Sequence, residues 1–444
     1  MKKFFFTLSF IIIALILVLI LRSAFPNYAG FLRIFFVFLL LDAYLWFSLL
    51  SCVSKLKPVI RILITILYWF PLALALGCTI TGFVIPFTDW YQPLRTQVMS
   101  FILIVFISKF LPAVALLIAD FIRAIRFLYA HVINGKIKFG PFNQIHRNKP
   151  VLLSGWIVGG VLFLTLFYGT VFGNYNFRVR EQVVPVSGLP AAFDGLRIVH
   201  ISDIHLGSWT CKSKLEKAVS IINNLHPDLI FFTGDMFNYC TKDGNGFEPV
   251  LSKLRAPLGI FAVMGNHDYG DYMRWHSGME KLRNLDDARK YYKMLGWNLL
   301  LNSNKIIRRG NDSIAVLGVE NWGATRRFRR MGNVERAQKG AENFETQLLL
   351  SHDPTHWDSI VSRHYPKIDF TFSGHTHGGQ IGIDGWGIHW SPSKWLYKEW
   401  CGLYKKTGKE GTQYLYVNQG LGSVGYAGRI GINPEITLII LTKQ

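Results

Sequence analysis

The sequence predicts an all-α bundle of five transmembrane helices followed by an α/β domain. Half of the 444 residues are apolar and 34 are phenylalanine, an excess typical of membrane proteins. Apolar runs that could cross a hydrocarbon core, for which about 20 residues are needed, all lie before residue 175. After Val183, short β-rich runs alternate with polar, helix-compatible segments. We therefore expect a transmembrane domain in residues 1–175, a linker and entry segment in 176–193, and the α/β domain in 194–444.

Each apolar run is an expected helix, because only closed backbone hydrogen bonding is stable in lipid. The predicted spans are roughly residues 4–21, 31–52, 62–86, 98–121 and 151–173. The first follows Lys2 and Lys3, as a signal peptide would. Its apolar run is too long for one, however, and no convincing small-x-small cleavage site follows it. We interpret it as a retained anchor.

The loops indicate the orientation of the bundle. Basic residues concentrate at the N-terminus, at Lys55, Lys57 and Arg61, and in residues 122–150, whereas the loop between the third and fourth spans has Asp89 against Arg95. Because basic loops face the cytoplasm, the N-terminus is expected there, with the α/β domain on the non-cytoplasmic face of a bacterial plasma membrane. The net charge of +20 could also indicate nucleic-acid binding, but the long apolar spans make that the weaker interpretation.

Two ionisable residues, Asp42 and Lys109, lie in the middle of predicted spans. Charged groups at that depth usually face the bundle interior and pair with one another. One hypothesis is an ion pair that joins the second and fourth predicted spans. The alternative is that each side chain extends separately toward the membrane surface.

Polar residues follow five predicted strands of the α/β domain, at the point where each strand ends. The carboxyl ends of such strands are where α/β sheets bind ligands, so these side chains should converge on one edge. They are Asp203, His205, Asp235, Asn266, His267, Asp268, His352, His375 and His377. Turn chemistry accounts for the glycines beside them, which would let the backbone turn tightly, but not for five histidines. None of the five cysteines forms a Cys-x-x-Cys motif, so no thiolate metal site is indicated.

This ordered series resembles the calcineurin-like metallophosphoesterase superfamily over about residues 194–441. The apolar front half joined to it resembles the transmembrane proteins with a metallophosphoesterase domain. The resemblance implies a two-sheet sandwich flanked by helices and a site for two divalent ions. Asp203, His205 and His377 would bind one ion, Asn266, His352 and His375 the other, and Asp235 would bridge them. Mixed nitrogen and oxygen ligands independently suit Mn, Zn or Fe.

The resemblance also implies how a phosphate ester or pyrophosphate bond would be hydrolysed. A hydroxide that bridges the two metals would attack phosphorus. His267 would protonate the leaving oxygen or stabilise the transition state, with Asp268 as its supporting catalytic partner. Some branches of the superfamily pair this histidine with an aspartate three residues after the Gly-Asp motif. Here Asn238 occupies that position, so polarisation of His267 by a carboxylate is in question.

Anchoring in a membrane favours a lipid-linked, phosphate-containing substrate, because tethering raises the effective concentration at the bilayer surface. A phosphodiesterase acting on soluble nucleotides or nucleic acid is the alternative enzyme. A non-catalytic receptor or transporter is disfavoured, since every ligand position is present. The run "RRFRR" at 326–330 is either a solvated loop or a contact for anionic headgroups. No substrate-binding residue is assigned from the sequence.

Overall fold

The computed structural model describes residues 29–132, 146–325, 328–385, 387–408 and 411–444. These residues form two compact units. The membrane unit contains the described residues up to Trp90 together with Val98–Phe167, and the α/β unit contains Tyr91–Gln97 together with Tyr168–Gln444.

Four long apolar helices account for the membrane unit. They are α1 (Ala29–Val53), α2 (Pro58–Val84), α3 (Gln92–Val132) and α4 (Lys149–Val171). Within the described residues, the helices long and apolar enough to cross a membrane number four and not the five predicted. The predicted first span, residues 4–21, lies outside the described residues. Helix α3 has 41 residues and extends well beyond the predicted 98–121, because a hydropathy pattern ends at the first polar residues whereas helical hydrogen bonding continues through them.

The ion pair between Asp42 and Lys109 is confirmed. Lys109 Nζ lies 2.7 Å from Asp42 Oδ1, and the Asp42 side chain is fully buried. Tyr68 on α2 completes the cluster, since its hydroxyl donates to the Asp42 carbonyl at 2.8 Å and its ring centroid lies 4.2 Å from Lys109 Nζ. The pair therefore joins α1 to α3, with α2 held in the same polar cluster.

The α/β unit contains two mixed six-stranded sheets. The first has the order β1-β14-β2-β3-β4-β5, with β2, β3 and β4 parallel. Its strands are β1 (Arg178–Val186), β14 (Glu435–Lys443), β2 (Leu196–Ile201), β3 (Leu229–Phe232), β4 (Ile260–Ala262) and β5 (Asn298–Leu299). Strand β1 lies in the segment 176–193 expected as a linker, and it pairs with β14 along its whole length.

The second sheet has the order β12-β13-β9-β8-β7-β6, with β13, β9, β8 and β7 parallel. Its strands are β12 (Gly402–Gly408), β13 (Gly411–Val417), β9 (Phe370–Ser373), β8 (Gln347–Leu350), β7 (Asp312–Gly318) and β6 (Ser303–Arg309). A separate hairpin pairs β10 (Ile383–Gly385) with β11 (Ile388–Trp390).

A buried apolar layer lies between the two sheets. It includes Ile198 and Phe231 from the first sheet and Leu348 and Phe370 from the second. Helices such as α5 (Lys212–Asn224) and α6 (Gly278–Met294) cover the outer face of the first sheet. Strands covered on both faces have continuous apolar sequences, as β3 does. The predicted α/β fold is confirmed, and its two sheets are mixed.

Removing one charge of the Asp42–Lys109 pair should destabilise the membrane unit. Lys109→Met leaves a buried carboxylate without its cation, a change that costs on the order of 3–5 kcal/mol in soluble proteins. We expect the melting temperature of the full chain in detergent to fall by several degrees. The exchange variant, Asp42→Lys with Lys109→Asp, should recover at least half of that loss.

The matched control is Lys290→Met, which breaks an exposed pair with Asp287 and should leave the melting temperature nearly unchanged. An exchange variant no more stable than Lys109→Met would contradict a stabilising role for the pair.

Candidate metal centre

The predicted ligands lie at the carboxyl ends of strands from both sheets. Asp203 and His205 follow β2, Asp235 follows β3 and Asn266 follows β4. From the second sheet, His352 follows β8, and His375 and His377 follow β9. The structure brings these side chains into one buried cluster. They were expected at the edge of a single sheet, but the cluster lies where the edges of the two sheets meet.

Asp203, His205 and His377 form the first group of candidate ligands. The Nε2 atoms of His205 and His377 are 3.1 Å apart, and Asp203 Oδ1 lies 3.3 Å from His377 Nε2. Among the described residues, Asp203 Oδ1 is buried and accepts no hydrogen bond. A buried carboxylate oxygen without a donor is costly unless a cation compensates it, so this group fits a metal ion.

The second group contains Asp235, His352 and His375. His352 Nε2 lies 3.2 Å from His375 Nδ1 and 3.1 Å from the side-chain oxygen of Asn266. The Asn266 amide is oriented by Tyr272, whose hydroxyl accepts from Asn266 Nδ2 at 2.7 Å. His352 Nδ1 donates to the Thr233 carbonyl at 2.7 Å, which directs Nε2 into the cluster.

Asp235 belongs to the second group and also lies close to His205 of the first. Its Oδ2 is 3.2 Å from His352 Nε2 and 3.5 Å from His205 Nε2. Its other oxygen, Oδ1, accepts the backbone N–H of His267 at 2.8 Å. One carboxylate thus contacts a candidate ligand from each group, which is the arrangement that a bridging ligand requires.

The titration behaviour of the cluster also suits cations. Burial lowers the pKa of His205 to about 3 and that of His375 to about 4, so both rings stay neutral and keep a lone pair for a metal. Burial, assisted by the Asp235 charge, raises the pKa of Asp203 to about 6. Burial alone would lower the pKa of His352, but the Asp235 and Asp203 carboxylates raise it to about 10. A proton on His352 therefore compensates the charge of these carboxylates, as a bound cation would.

Left-handed backbone directs several of these side chains. The φ angles of Asp203, His205, Asp235, His375 and His377 are 50°, 47°, 60°, 71° and 53°. Residues other than glycine adopt this region rarely and at a cost in energy, and such residues are concentrated at functional sites. Gly374 has a different role from the tight turn expected of it, since a Cβ there would clash with the side chains of Ser202 and Asp203.

His267 is held through its Nδ1 atom, which lies 2.7 Å from the backbone carbonyl of Asn238. A carbonyl only accepts hydrogen bonds, so Nδ1 carries the proton and Nε2 is left for other partners. Its ring stacks on Tyr272 with 3.9 Å between centroids. Asn238 therefore replaces the superfamily's carboxylate with its own main chain.

Asp268 does not support His267 directly. Its carboxylate is buried and accepts the backbone N–H groups of Asp235, Met236 and Gly265 at 2.8–2.9 Å. Such a carboxylate fixes the two strand-end loops that present Asp235 and Asn266. The contacts of Asp268 are those of a residue that positions the loops, and its part in catalysis stays a prediction.

Sequence reasoning missed Arg95, which lies far from the strand-end motifs along the chain. Its guanidinium pairs with Asp243 Oδ1 at 2.9 Å, and both side chains are 2% exposed. The other Asp243 oxygen accepts the backbone N–H groups of Asn238 and Tyr239 at 3.1 and 2.8 Å. Thr96, in the same segment, donates to the Gly207 carbonyl at 2.9 Å. The segment Tyr91–Gln97 thus fixes the loop that holds His267 and the loop that follows His205.

Sequence reasoning also missed Arg429. Its buried guanidinium donates to the carbonyls of Gln419 and Gly422 at 2.8 and 2.6 Å. No metal-ligand spacing distinguishes either arginine, so no motif could have found them.

Replacing Arg95 should loosen the loop that holds His267. Arg95→Met leaves Asp243 buried without its cation, and we expect faster hydrogen exchange at the amides of Asn238–Cys240, because breaking a buried pair costs on the order of 3–5 kcal/mol. The control Lys253→Met breaks an exposed pair with Glu216 and should leave these amides protected. Unchanged exchange in Arg95→Met would contradict the role given to this pair.

The family comparisons agree with this architecture. Residues 196–379 match the family described as "Calcineurin-like phosphoesterase". Residues 22–174 match the family described as "Probable Calcineurin-like phosphoesterase, transmembrane domain".

Individual proteins are also similar. A "Transmembrane protein with metallophosphoesterase domain" from Danio rerio is 32% identical over 62% of this chain, and the chain spans 60% of that protein's length. The "Uncharacterized metallophosphoesterase YkuE" from Bacillus subtilis is 31% identical over 62% of this chain and 88% of its own length. Among solved structures, a 5'-nucleotidase precursor from Thermus thermophilus matches with a TM-score of 0.37 and 15% identity, over 55% of this chain and 54% of its own.

The transmembrane family match and four apolar helices make this chain a membrane protein. The match of the α/β domain, together with a 31% identical relative that the chain spans over 88% of its length, shows the family. The chain belongs to the calcineurin-like metallophosphoesterase family.

Proposed function

We propose that the chain is a dinuclear phosphoesterase in which Asp203, His205 and His377 hold one divalent ion and Asn266, His352 and His375 the other. The observation that carries this proposal is that Asp235 lies close to a histidine from each group of candidate ligands. Nitrogen and oxygen donors favour Mn, Zn or Fe. When bound, a pair of such ions supplies Lewis-acid activation of the phosphate and of the attacking water.

The protein's own residues position and protonate the reacting groups. His267 donates through Nδ1 to the Asn238 carbonyl, so Nε2 is the atom that would hold a proton for the leaving oxygen. Stacking on Tyr272 fixes the plane of the ring. Asp268 keeps the loops of Asp235 and Asn266 in register through three backbone hydrogen bonds. General acid catalysis of this kind contributes about 10²–10⁴-fold in rate.

The catalytic unit is proposed to lie on the non-cytoplasmic face. The basic residues Lys55, Lys57 and Arg61 lie at the α1–α2 connection, and the chain from Arg123 to Lys149 contains further basic residues around the α3–α4 connection. Both connections would be cytoplasmic under the positive-inside rule. The chain then leaves α4 on the opposite side, whether or not residues 4–21 form a further span. The proposal also includes a bacterial plasma membrane and a lipid-linked substrate at its outer surface, because tethering raises the effective concentration of the enzyme there.

Asp235→Asn should remove the carboxylate that the two proposed metal ions would share. We expect the purified full chain, reconstituted with Mn²⁺, to bind two ions, and the variant to bind at most one and to lose hydrolysis of bis(p-nitrophenyl) phosphate. His267→Gln should instead keep both ions and lose about 10²–10⁴-fold in kcat. Metal content by elemental analysis, together with steady-state kinetics, separates these outcomes.

The matched control is Asp369→Asn, a mostly buried aspartate whose carboxylate accepts the Gln347 backbone N–H. It should keep both ions and full activity. Activity that survives in Asp235→Asn would reject the bridged mechanism.

The orientation can be tested by labelling introduced cysteines. In a background with the exposed thiols Cys52 and Cys211 changed to serine, Lys290→Cys should react with a membrane-impermeant maleimide in intact spheroplasts. Lys55→Cys should react only after permeabilisation. The opposite pattern would place the catalytic unit in the cytoplasm.

A further inference from the structure

A cavity of about 210 Å³ lies beside the candidate metal centre. One of its lining residues is Asn266, a candidate metal ligand. Two others contact site histidines, since Tyr272 stacks on His267 and the Phe328 ring meets the His375 ring edge to face at 4.9 Å. A group attached to a phosphate at the metal centre would therefore enter this cavity.

Asn321 lines the cavity and has unused hydrogen-bonding capacity. Its backbone is fixed, because its N–H donates to the Tyr269 hydroxyl and its carbonyl accepts from Met331 and Gly332. Its side chain is 1% exposed, yet neither Oδ1 nor Nδ2 has a partner among the described residues. Buried amides are nearly always paired. A ligand that supplies an adjacent donor and acceptor would satisfy both atoms.

The remaining walls are aromatic and charged. Tyr269, Tyr272 and Phe328 provide flat apolar surfaces, while Arg329 forms two hydrogen bonds to the Asp271 carboxylate at 2.6 and 3.0 Å. The volume is below the roughly 300–1,000 Å³ of pockets that hold a whole drug-sized ligand, so only a compact group fits. The polar side chains among the lining residues, Asp271, Asn321 and Arg329, disfavour an acyl chain.

Arg329 belongs to the basic run at 326–330, which therefore has a part in this cavity. Arg330 lies over the Trp322 ring with 5.1 Å to its centroid. Neither of these two arginines is a freely solvated side chain, and Arg326 and Arg327 lie outside the described residues.

We propose that this cavity binds a ring-shaped polyol esterified to the scissile phosphate, with Asn321 pairing to neighbouring hydroxyls. A hydroxyl both donates and accepts, so two adjacent hydroxyls satisfy both atoms of one amide. The aromatic walls pack on the faces of the ring, and Asp271 and Arg329 offer further polar contacts. This inference names the substrate class of the proposed phosphoesterase and rests on that proposal. The same ring chemistry occurs in the headgroup of an inositol lipid and in the ribose of a nucleotide.

The test compares substrates that differ only in ring hydroxyls. The full chain, loaded with Mn²⁺ in detergent, is assayed on myo-inositol 1-phosphate and on cyclohexyl phosphate, each as the monoester and as the methyl diester. We expect kcat/KM to favour the inositol ester, and the ratio to fall about tenfold in Asn321→Leu, the effect of losing one or two neutral hydrogen bonds. A ratio measured within one enzyme does not depend on the fraction of folded protein.

The control variant Asn304→Leu removes an amide that donates to the Ala337 and Lys339 carbonyls outside the cavity and should keep the wild-type ratio. Two further pairs distinguish the source of the ring. One compares phosphatidylinositol in mixed micelles with soluble glycerophosphoinositol, and the other compares uridine 5'-monophosphate with its 2',3'-dideoxy form.

Hydrolysis without preference for ring hydroxyls in both the inositol–cyclohexyl pair and the uridine pair, or an undiminished preference in Asn321→Leu, would overturn the polyol site and leave the phosphoesterase intact. A wild-type chain that contains both ions and hydrolyses none of these esters, nor bis(p-nitrophenyl) phosphate, would overturn both proposals.

Discussion

The buried carboxylate of Asp235 is the constraint on which the rest of the catalytic unit depends. It lies within 3.5 Å of imidazole nitrogens from both sheets, His205 on one side and His352 on the other. A charge in such surroundings is stable only if it is compensated by cations and fixed hydrogen bonds. Burial lowers the pKa of His205 and His375 and keeps both rings neutral, so the cluster has nitrogen donors for metal ions beside its carboxylates.

Holding this cluster requires a rigid frame, and the frame is built from buried polar groups. Asp268 secures the loops after β3 and β4, and Arg429 secures the loop after β13 through carbonyl oxygens. Left-handed backbone at five of the candidate ligands shows that the surrounding structure imposes conformations that those residues would not adopt alone. These strained residues lie at the ends of several strands, and packing of the two sheets holds those strands in place.

The segment Tyr91–Gln97, which includes the first residues of α3, has a structural part in the catalytic unit. Arg95 compensates Asp243, which in turn orders the backbone at Asn238 beside His267. A chain shortened to its α/β residues after 182 would lack this cation, so activity is best measured on the full chain. The membrane unit has its own buried pair in Asp42 and Lys109, which holds two of its helices through a single strong contact.

Local pattern was enough to predict the strands that precede the candidate ligands, four apolar helices and the series of polar residues at the strand ends. Each depends on short-range chemistry, namely hydrophobic period, strand termination and the residue types that bind metals. The Asp42–Lys109 pair was one of two hypotheses from the sequence, because both charges lie in the middle of apolar spans, and the structure decided between them. The sequence placed the ligands on one sheet edge, however, and suggested a catalytic role for Asp268 that stays a prediction. Only packing of the two sheets decided that the ligands come from both, that Asp268 faces backbone amides and that Asn238 presents its carbonyl to His267. The roles of Arg95 and Asn321 could not be predicted for the same reason. They arise from contacts between segments far apart in the chain, which no local pattern encodes.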